Sequence, residues 1–234
     1  MKKITGLLAL GAVLAAPSMG FAEPQSGFYV TPKLMYGLTD MRNAKYYETN
    51  PSTTSYNLGS QWDNTFGVSL AVGYDLSKKH NTPVRAELEY AVFTKAESTG
   101  RPDDWHPANK MRQSSYVQTL FVNAYYDIDT GGKFTPYVGA GIGAGLIQTE
   151  GDIVWFSGIR ENTGSKTVTN FAWNLGIGVG YKITDKVVLD VGYRLVDLGK
   201  VKTNLYDWGG GDSWHMETGR LTQHQFGVGA RVKF

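Results

Sequence analysis

The sequence predicts an all-β fold, an eight-stranded antiparallel transmembrane up-and-down β-barrel with short periplasmic turns and four long extracellular loops. The last strand shows the pattern most clearly. From Phe226 to the end of the chain, every second side chain is apolar, and the residues between are polar or glycine. Because successive side chains of a strand point to opposite faces, one face suits lipid and the other a polar interior.

The N-terminus predicts export from the cytoplasm. Two lysines precede an apolar run at positions 4–16, and small residues follow near Ala22, which is the pattern of a secretory signal peptide. We expect residues 1–22 to be cleaved and residues 23–234 to form the barrel domain. A membrane anchor is the alternative, but the run is shorter than the ~20 residues that span a bilayer.

Composition argues against several other classes of protein. The chain has no cysteine, so it has no disulfide framework, and its net charge of +2 predicts no attraction to nucleic acid. Beyond Ala22 no apolar stretch is long enough to predict a membrane-spanning helix. The mean hydropathy of −0.28 is compatible with a barrel, because lipid-facing and interior residues cancel along each strand.

Alternation with period two predicts seven strands before the last one. They are Gly27–Leu38, Asp63–Leu76, Pro83–Lys95, Ser114–Asp127, Thr135–Gln148, Val168–Lys182 and Val187–Gly199. The third is the clearest, with Leu88 and Tyr90 set against Arg85, Glu87 and Glu89. Each segment supplies the ~9–11 residues of a tilted membrane strand. An even number of strands can close, which leaves no unpaired backbone edge in lipid.

The connections between these strands alternate in length. The short ones are Ser77–Thr82, Ile128–Phe134 and Ile183–Lys186, and the long ones are Thr39–Trp62, Ala96–Gln113, Thr149–Thr167 and Lys200–Gly219. Barrels of this class keep short turns in the periplasm and long loops outside. We therefore expect four extracellular loops and both ends of the mature chain on the periplasmic side.

Charges on the predicted inward face are nearly balanced in sign. They are Lys33, Asp75, Arg85, Glu87, Glu89, Asp190, Arg194, Arg231 and Lys233. An eight-stranded barrel has room only for side chains or one small ligand, and confined charges are costly unless they are paired. We interpret them as a network that plugs the barrel, with Asp75 near Arg85 and Asp190 beside Arg231. A conducting lumen or proton path is the functional alternative.

Glycines at alternate positions of two predicted strands leave room for large inward side chains. They are Gly139, Gly141, Gly143 and Gly145, then Gly176, Gly178 and Gly180. We expect Tyr29, Phe93, Phe121 and the arginines to use that space. The segment from Gly139 to Ala144 formally matches a dinucleotide-binding fingerprint, but that motif requires a helix after it. Glycine continues here at period two, so we predict a strand and no cofactor.

Aromatic residues on the predicted outward face are typical of membrane-interface belts. They are Tyr36, Tyr74, Tyr90, Tyr126, Trp173, Tyr181, Tyr193 and Phe234. Tyrosine and tryptophan keep a polar edge among headgroups and an apolar body in lipid. We interpret these residues as lipid-facing rather than as ligand-binding.

No catalytic, cofactor-binding or metal site is predicted. His80 lies in a predicted turn, His106 and His215 lie in predicted loops, and none has a nucleophile at a fixed spacing. His224 lies on the outward face, where outer-membrane lipid A deacylases also carry a histidine together with a serine. Phe226 occupies the position expected for that serine, so a lipid-modifying enzyme is a weak alternative.

The predicted long loops are rich in aromatic residues. They include Tyr46, Tyr47, Tyr56, Trp105, Trp155, Trp208 and Trp214. Exposed aromatics among small polar residues are typical of surfaces that bind host proteins or glycans. Alternatively, these side chains pack on one another as a lid, or extend the outer aromatic belt.

Several segments resemble opacity-protein-like surface antigens, which are akin to the membrane domain of OmpA. They are Thr135–Gly145, Phe171–Tyr181, Leu189–Leu195 and the C-terminal strand. The resemblance implies an eight-stranded outer-membrane barrel with loop-borne interactions and no enzyme activity. Terminal strands of this kind resemble the assembly signal of outer-membrane barrels, whose final residue would here be Phe234.

We therefore expect an integral protein of the bacterial outer membrane that acts as a surface antigen, adhesin or envelope-stabilising protein, without enzymatic activity. Expected partners are outer-membrane lipid and lipopolysaccharide, the barrel-assembly machinery through the C-terminal strand, and a host protein or glycan at the loops. The alternatives are a narrow porin-like channel for small solutes, a lipid-modifying enzyme, and a soluble lipocalin-like carrier.

Overall fold

A computed structural model describes residues 27–49, 52–77, 82–100, 110–155 and 157–234. The predicted signal peptide, His80, Trp105 and His106 lie outside the described residues. Within the described residues no helix is long and apolar enough to cross a membrane.

The described chain forms twelve strands: β1 (Phe28–Thr49), β2 (Thr53–Asp75), β3 (Val84–Phe93), β4 (Ala96–Gly100), β5 (Lys110–Asp127), β6 (Phe134–Val154), β7 (Arg160–Asn162), β8 (Lys166–Lys182), β9 (Val187–Asp197), β10 (Val201–Lys202), β11 (Tyr206–Gly209) and β12 (Asp212–Lys233).

The strands form one sheet in which every pairing is antiparallel. Its main order is β5-β3-β2-β1-β12-β9-β8-β6, and β5 also pairs with β6, so the path of pairings returns to its start. The first and last strands are neighbours along almost their whole length. The fold is therefore an all-β, antiparallel, up-and-down barrel-like fold, as the alternation predicts.

Four of the twelve strands are short and are not among the eight that the sequence predicts. They are β4, β7, β10 and β11, which pair with β5, β6, β12 and β12, respectively. They lie in segments that the sequence analysis treated as loops. These segments lack a continuous apolar alternation, so periodicity gives no sign of the backbone pairing that they make.

The long strands also extend well beyond their predicted ends. β1 continues to Thr49 instead of ending at Leu38, β2 begins at Thr53, and β12 begins at Asp212 instead of Leu221. The prediction of a loop over Thr39–Trp62 was therefore wrong, because most of that segment is a β-hairpin. Outside the apolar band, a strand needs only backbone pairing and loses the alternation that identifies it in sequence.

The sidedness of the wall follows the alternation. The outward face is apolar, with large exposed residues that include Leu34, Phe66, Leu88, Val122, Ile142 and Leu175. The inward face of the same strands carries Arg85, Glu87 and Glu89, which are almost fully buried. A soluble carrier with an apolar lumen would require the opposite arrangement, so this sidedness argues against the lipocalin-like alternative.

The inward positions of β1 change from odd-numbered to even-numbered residues at Asn43, which has a φ of 52°. Before this residue Met35, Thr39 and Met41 are buried, whereas beyond it Ala44 and Tyr46 are buried. The pairing of β1 with β2 is irregular at the same place. Asparagine tolerates a left-handed backbone conformation better than most residues. The bulge therefore turns Tyr46 into the barrel, which simple alternation does not predict.

Candidate functional site: the filled interior and the outer aromatic cluster

The structure places all the predicted interior charges inside the barrel. They are Lys33, Asp75, Arg85, Glu87, Glu89, Asp190, Arg194 and Arg231. They come from strands β1, β2, β3, β9 and β12, so the ring rather than sequence proximity brings them together. Lys233, which the same alternation turns inward, lies at the end of the barrel that carries the short turns, 3.5 Å from Asp75 Oδ2.

Glu89 lies at the centre of one group of charges. Its Oε2 is 2.6 Å from Lys33 Nζ, and its Oε1 is 2.5 Å from Arg194 Nη2. Lys33 also contacts Glu87 at 3.1 Å, and Arg194 Nε donates to Gln225 Oε1 at 2.6 Å. These contacts join strands on opposite sides of the ring, so they close the interior at this level.

Arg85 organises a second group nearer the end with the short turns. Its Nε donates to Asp127 Oδ2 at 2.7 Å, and its Nη1 donates to Glu87 Oε1 at 3.2 Å. The guanidinium carbon also lies 4.7 Å and 5.0 Å from the ring centroids of Tyr125 and Tyr137. Such contacts stabilise a cation away from water. Asp127 is not among the predicted interior charges, although this residue ends a predicted strand at an inward position.

The two expected charge pairs have different outcomes. Arg231 makes an ion pair with Asp190, whose Oδ1 also accepts a hydrogen bond from the Tyr137 hydroxyl at 2.6 Å. Asp75 and Arg85 are opposite each other in the register of β2 and β3. However, the Asp75 carboxylate accepts hydrogen bonds from Ser77, while Arg85 turns towards Asp127.

Little space remains between these side chains. A cavity of about 40 Å³ is lined by Lys33, Glu89, Tyr125, Tyr137 and Arg194, among others. One water molecule needs about 10–15 Å³ on this measure, so the cavity suits about three waters. Glycines make the tight packing possible: a Cβ at Gly139 would lie 2.4 Å from Tyr125 Cδ1. The interior at this level is therefore filled by side chains rather than open.

An apolar layer follows towards the end that carries the long hairpins, which is called the outer end below. The sequence predicted the inward positions of Phe93 and Phe121 but not the layer as a whole. Its buried residues include Met35, Met41, Phe93, Val117, Phe121, Ile147, Leu198 and Leu221. They occupy inward positions by alternation, so their apolar character could have been read from the sequence. The interior is layered, with charges towards the short turns and an apolar layer beyond them.

The outer end contains a second buried cluster, formed by Tyr46, Met111, Ile153, Trp214 and Met216. Trp214 is 0% exposed, and its Nε1 donates to Glu161 Oε2 at 3.1 Å. The same oxygen accepts a hydrogen bond from Trp208 Nε1 at 3.0 Å. Glu161 is not among the site residues predicted from the sequence. This single carboxylate joins two tryptophans over the top of the cluster.

These positions bear on the two interpretations of the loop aromatics, ligand binding and packing on one another. Tyr46 and Trp214 are fully buried, so they pack on one another as the alternative interpretation had it. Tyr56, Trp155 and Trp208 are half-buried against the cluster. Tyr47 faces outward and stacks on His215 with 4.9 Å between ring centroids. Trp105 lies outside the described residues.

Burial changes the titration of groups around this outer cluster. Burial, and then the nearby charge of Lys202, lower the pKa of His215 below its ordinary value. Burial, and then Asp212, raise the pKa of Glu48. The two shifts have opposite consequences for stability at low pH, which makes them separable by experiment.

His224 lies on the outward face, as predicted, but its surroundings do not resemble a hydrolytic site. Its Nδ1 is 2.7 Å from the Tyr193 hydroxyl, and its ring centroid is 5.5 Å from that of Trp62. Its cross-strand neighbours are Leu38 and Leu195, so neither position supplies a nucleophile. Among the described residues, no group of histidines and carboxylates is arranged to bind a metal ion.

The last residue is held against the first strand. The backbone N–H of Phe234 donates to the Phe28 carbonyl at 3.0 Å. The C-terminal strand therefore joins the two ends of the sheet, and its pairing with β1 completes the path of the ring.

Comparisons with known proteins agree with this architecture. A model of the outer membrane protein β-barrel domain matches residues 5–234. Outer membrane protein PagN of Salmonella typhimurium is 28% identical over 204 residues, which are 81% of this chain and 82% of PagN. A putative adhesin of Rickettsia prowazekii is 26% identical over 238 residues, 99% of each chain. The crystal structure of Neisserial surface protein A is similar with a TM-score of 0.48 and 22% identity, covering 89% of this chain and 98% of that one.

Proposed function

Because this chain belongs to the outer membrane protein β-barrel domain family and is located in the bacterial outer membrane, we propose that it is a non-enzymatic adhesin. Its outer end would bind a protein or glycan on a host surface. Relatives that align with nearly the whole chain are named putative adhesins, which supports this role.

In this proposal eight long strands form the membrane wall: β1, β2, β3, β5, β6, β8, β9 and β12. Outward apolar residues cover β1 from Phe28 to Leu38, a length that suits one crossing of the hydrocarbon layer by a tilted strand. The hairpin ends beyond this band, including the β1–β2 hairpin, face the exterior. The short turns after Asp75, Asp127 and Lys182 face the periplasm.

The single observation that supports adhesion best is the packed aromatic cluster beneath the outer end. A cluster centred on Trp214 holds the hairpins together, so the surface above it is preformed and loses little conformational entropy on binding. Apolar side chains remain exposed on the connections around it: Ile159 is 61% exposed and Leu205 is 58% exposed. In this proposal these two side chains contribute to the surface that contacts the partner.

Two further partners belong to the proposal. The barrel-assembly machinery would recognise the C-terminal strand ending at Phe234, and lipopolysaccharide would surround the outer half of the wall. The proposed absence of enzymatic activity is supported by the neighbours of His224, because the hydroxyl that contacts its Nδ1 is the phenol of Tyr193 and not a serine, threonine or cysteine of the kind that acyl transfer usually uses.

Attachment of whole cells tests the proposal. The full chain is expressed in a non-adherent laboratory bacterium, and attachment to cultured epithelial cells is compared with that of cells carrying an empty vector. We expect attachment to require the chain. We also expect the double variant Ile159→Asp with Leu205→Asp to abolish attachment. The matched control is Ile128→Asp with Ile183→Asp, because these isoleucines are similarly exposed at the opposite end.

Heat-modifiable migration and surface labelling show whether each variant is folded and inserted. Equal attachment by the vector control and the wild-type chain would disprove adhesion. Equal loss of attachment in both double variants would place the binding surface elsewhere.

A further inference from the structure

We propose that the outward face of β1 and β12, just beyond the lipid-facing band, binds the phosphate groups of an outer-leaflet glycolipid through Arg42 and Arg220. This inference rests on the membrane orientation given under Proposed function. It concerns the side wall of the barrel rather than its outer end.

The two arginines are direct cross-strand partners in the register of β1 and β12. Their side chains are 51% and 53% exposed, respectively. Like charges that face each other across a strand pair destabilise the pair unless something neutralises them. Asp40 and Asp197 each neutralise one of the two arginines, and an anion bound between the two guanidinium groups would offset the repulsion that remains between them.

Each arginine is turned towards the membrane by a carboxylate. Arg42 Nε is 2.5 Å from Asp40 Oδ2, and Arg220 Nε donates to Asp197 Oδ2 at 2.7 Å. Both carboxylates are largely buried beneath the guanidinium groups. They hold the arginines in place, and Arg220 Nη2 donates to the same oxygen of Asp197. A guanidinium group has five N–H donors, so each arginine retains donors for a further acceptor. Guanidinium groups bind phosphate through paired hydrogen bonds.

The depth of the arginine pair matches a lipid headgroup. Next to it on the membrane side lie the outward-facing Trp62, Tyr193 and His224, whose rings pack in sequence; such aromatics mark the membrane interface. Arg42 lies four residues beyond Leu38, which is about 9 Å along the membrane normal for a strand tilted by about 45°. Headgroups extend about 5–8 Å beyond the hydrocarbon on each side, and the arginines turn back towards them.

The surroundings add positive charge. Lys45 of β1 and Lys202 of β10 are exposed nearby, as is Lys200, which immediately precedes β10. Glu217 is the cross-strand partner of both Lys45 and Lys202. The carboxylates of this region are Asp40, Asp197 and Glu217. They are outnumbered by the two arginines and three lysines, so the region attracts anions.

A sulfated glycan is the other anion that this chemistry could accept. It would approach from the exterior, where Tyr47 and His215 lie beyond the lysines on the same strands. The two guanidinium groups are instead held on the membrane side of their own backbone positions. That orientation favours a lipid phosphate over a soluble polyanion.

The test uses the full chain refolded in detergent and measures lipid binding by native mass spectrometry. The probes are bisphosphorylated lipid A and the same lipid A after removal of both phosphates. We expect the wild-type chain to prefer the phosphorylated lipid. Arg42→Gln with Arg220→Gln should weaken its binding about 30-fold, the factor expected for two basic residues at an anionic surface. Binding of the dephosphorylated lipid should be unchanged.

The matched control removes equal charge from the other side of the ring. Lys95→Gln with Arg112→Gln is suitable, because Arg112 is 53% exposed and lies four residues beyond the outward Tyr116. We expect this control to change the affinity less than about threefold. A charge-preserving variant, Arg42→Lys with Arg220→Lys, should retain part of the binding, which distinguishes lost recognition from lost folding.

Inorganic phosphate and a heparin fragment serve as competing ligands. The proposal is overturned if the wild-type chain binds both forms of lipid A equally, or if the control variant weakens binding as much as the test variant. It is also overturned if either competitor binds more tightly than lipid A and loses that binding in the test variant. Lipid selectivity in a wild-type chain that confers no more cell attachment than the empty vector would count against the adhesin proposal alone.

Discussion

Arg194 and Glu89 form an ion pair across the barrel, with 2.5 Å between Nη2 and Oε1. Their strands, β9 and β3, are not paired, and β2, β1 and β12 lie between them in the order of the sheet. The contact therefore spans the interior rather than following the wall. It is one of the links that keep the charged layer closed.

Removing Glu89 should destabilise the barrel strongly. Glu89→Gln leaves Lys33 and Arg194 buried without their shared carboxylate, and a buried charge that loses its partner costs about 3–5 kcal/mol. Urea unfolding of the refolded protein measures the change. Glu97→Gln is the control, because Glu97 pairs with Lys95 at 3.2 Å in a more exposed position and should cost less than about 1 kcal/mol. Similar losses in the two variants would contradict the role of the network.

Planar-bilayer recording should show no stable openings for the wild-type chain. Glu89→Gln should also be silent, because the apolar layer with Phe93 and Leu198 closes the interior beyond the charges. The guanidinium carbon of Arg194 lies 5.6 Å from the ring centroid of Phe121, so these two side chains connect the charged layer with the apolar layer. The double variant Arg194→Ala with Phe121→Ala removes side chains from both layers at one place and should permit openings. Stable wild-type openings that respond to substitution of Arg85 or Glu87 would support the channel alternative.

Truncating Trp214 should loosen the outer end. Trp214→Ala removes a fully buried indole and leaves Glu161 with one tryptophan donor fewer, which should cost about 3–5 kcal/mol. Limited proteolysis of intact cells should then cleave the outer hairpins faster. Trp62→Ala is the control, because Trp62 is exposed on the outward face. Unchanged protease resistance in the Trp214 variant would show that the cluster does not hold the hairpins.

Acidification should open the hairpin that contains His215. The lowered pKa of His215 means that this side chain takes up a proton more readily in the open form of the hairpin than in the closed form. The closed form is therefore favoured above the ordinary histidine pKa of about 6.5 and loses stability as pH falls below it. Hydrogen exchange of residues 201–216 between pH 8 and pH 5 measures this effect, and His215→Gln should reduce it.

Glu48 should act in the opposite direction. Its raised pKa means that the closed form binds a proton more readily, so protonation stabilises the hairpin as pH falls through the folded pKa. Glu48→Gln should therefore make the remaining loss of protection at low pH larger than in the wild-type chain. A smaller loss in this variant would show that the sign is wrong.

Adding one methyl group at Gly73 should disturb the charged layer from a neighbouring strand. A Cβ at Gly73 would lie 2.2 Å from Tyr29 Cζ, and the Tyr29 hydroxyl donates to Glu87 Oε1 at 2.9 Å. Gly73→Ala should cost about 1–3 kcal/mol by overpacking. Gly132→Ala is the control, because its nearest neighbour, Thr130 Oγ1, would be 3.7 Å from the new Cβ. Equal unfolding midpoints would show that Tyr29 moves aside freely.

Alternation was sufficient to predict the membrane-spanning part of each strand. Arg85, Glu87 and Glu89 occur at every second position, so a strand that buries one of them buries all three. The same rule failed beyond Asn43, because a bulge exchanges the two faces and nothing in the alternation marks it. This is why Tyr46, for which the sequence left ligand binding and packing open, fills the barrel, where it contacts the buried Trp214 of β12.

The sequence by itself determined the family, the envelope location and the sidedness of the wall, because each depends on side-chain order along single strands. Only the tertiary structure decided which charges meet, since closure of the ring sets β9 opposite β3 and brings Arg194 to Glu89. It also decided that Asp127, rather than Asp75, pairs with Arg85. Such choices depend on side-chain direction and packing across the ring, which the order of residues along one strand does not contain.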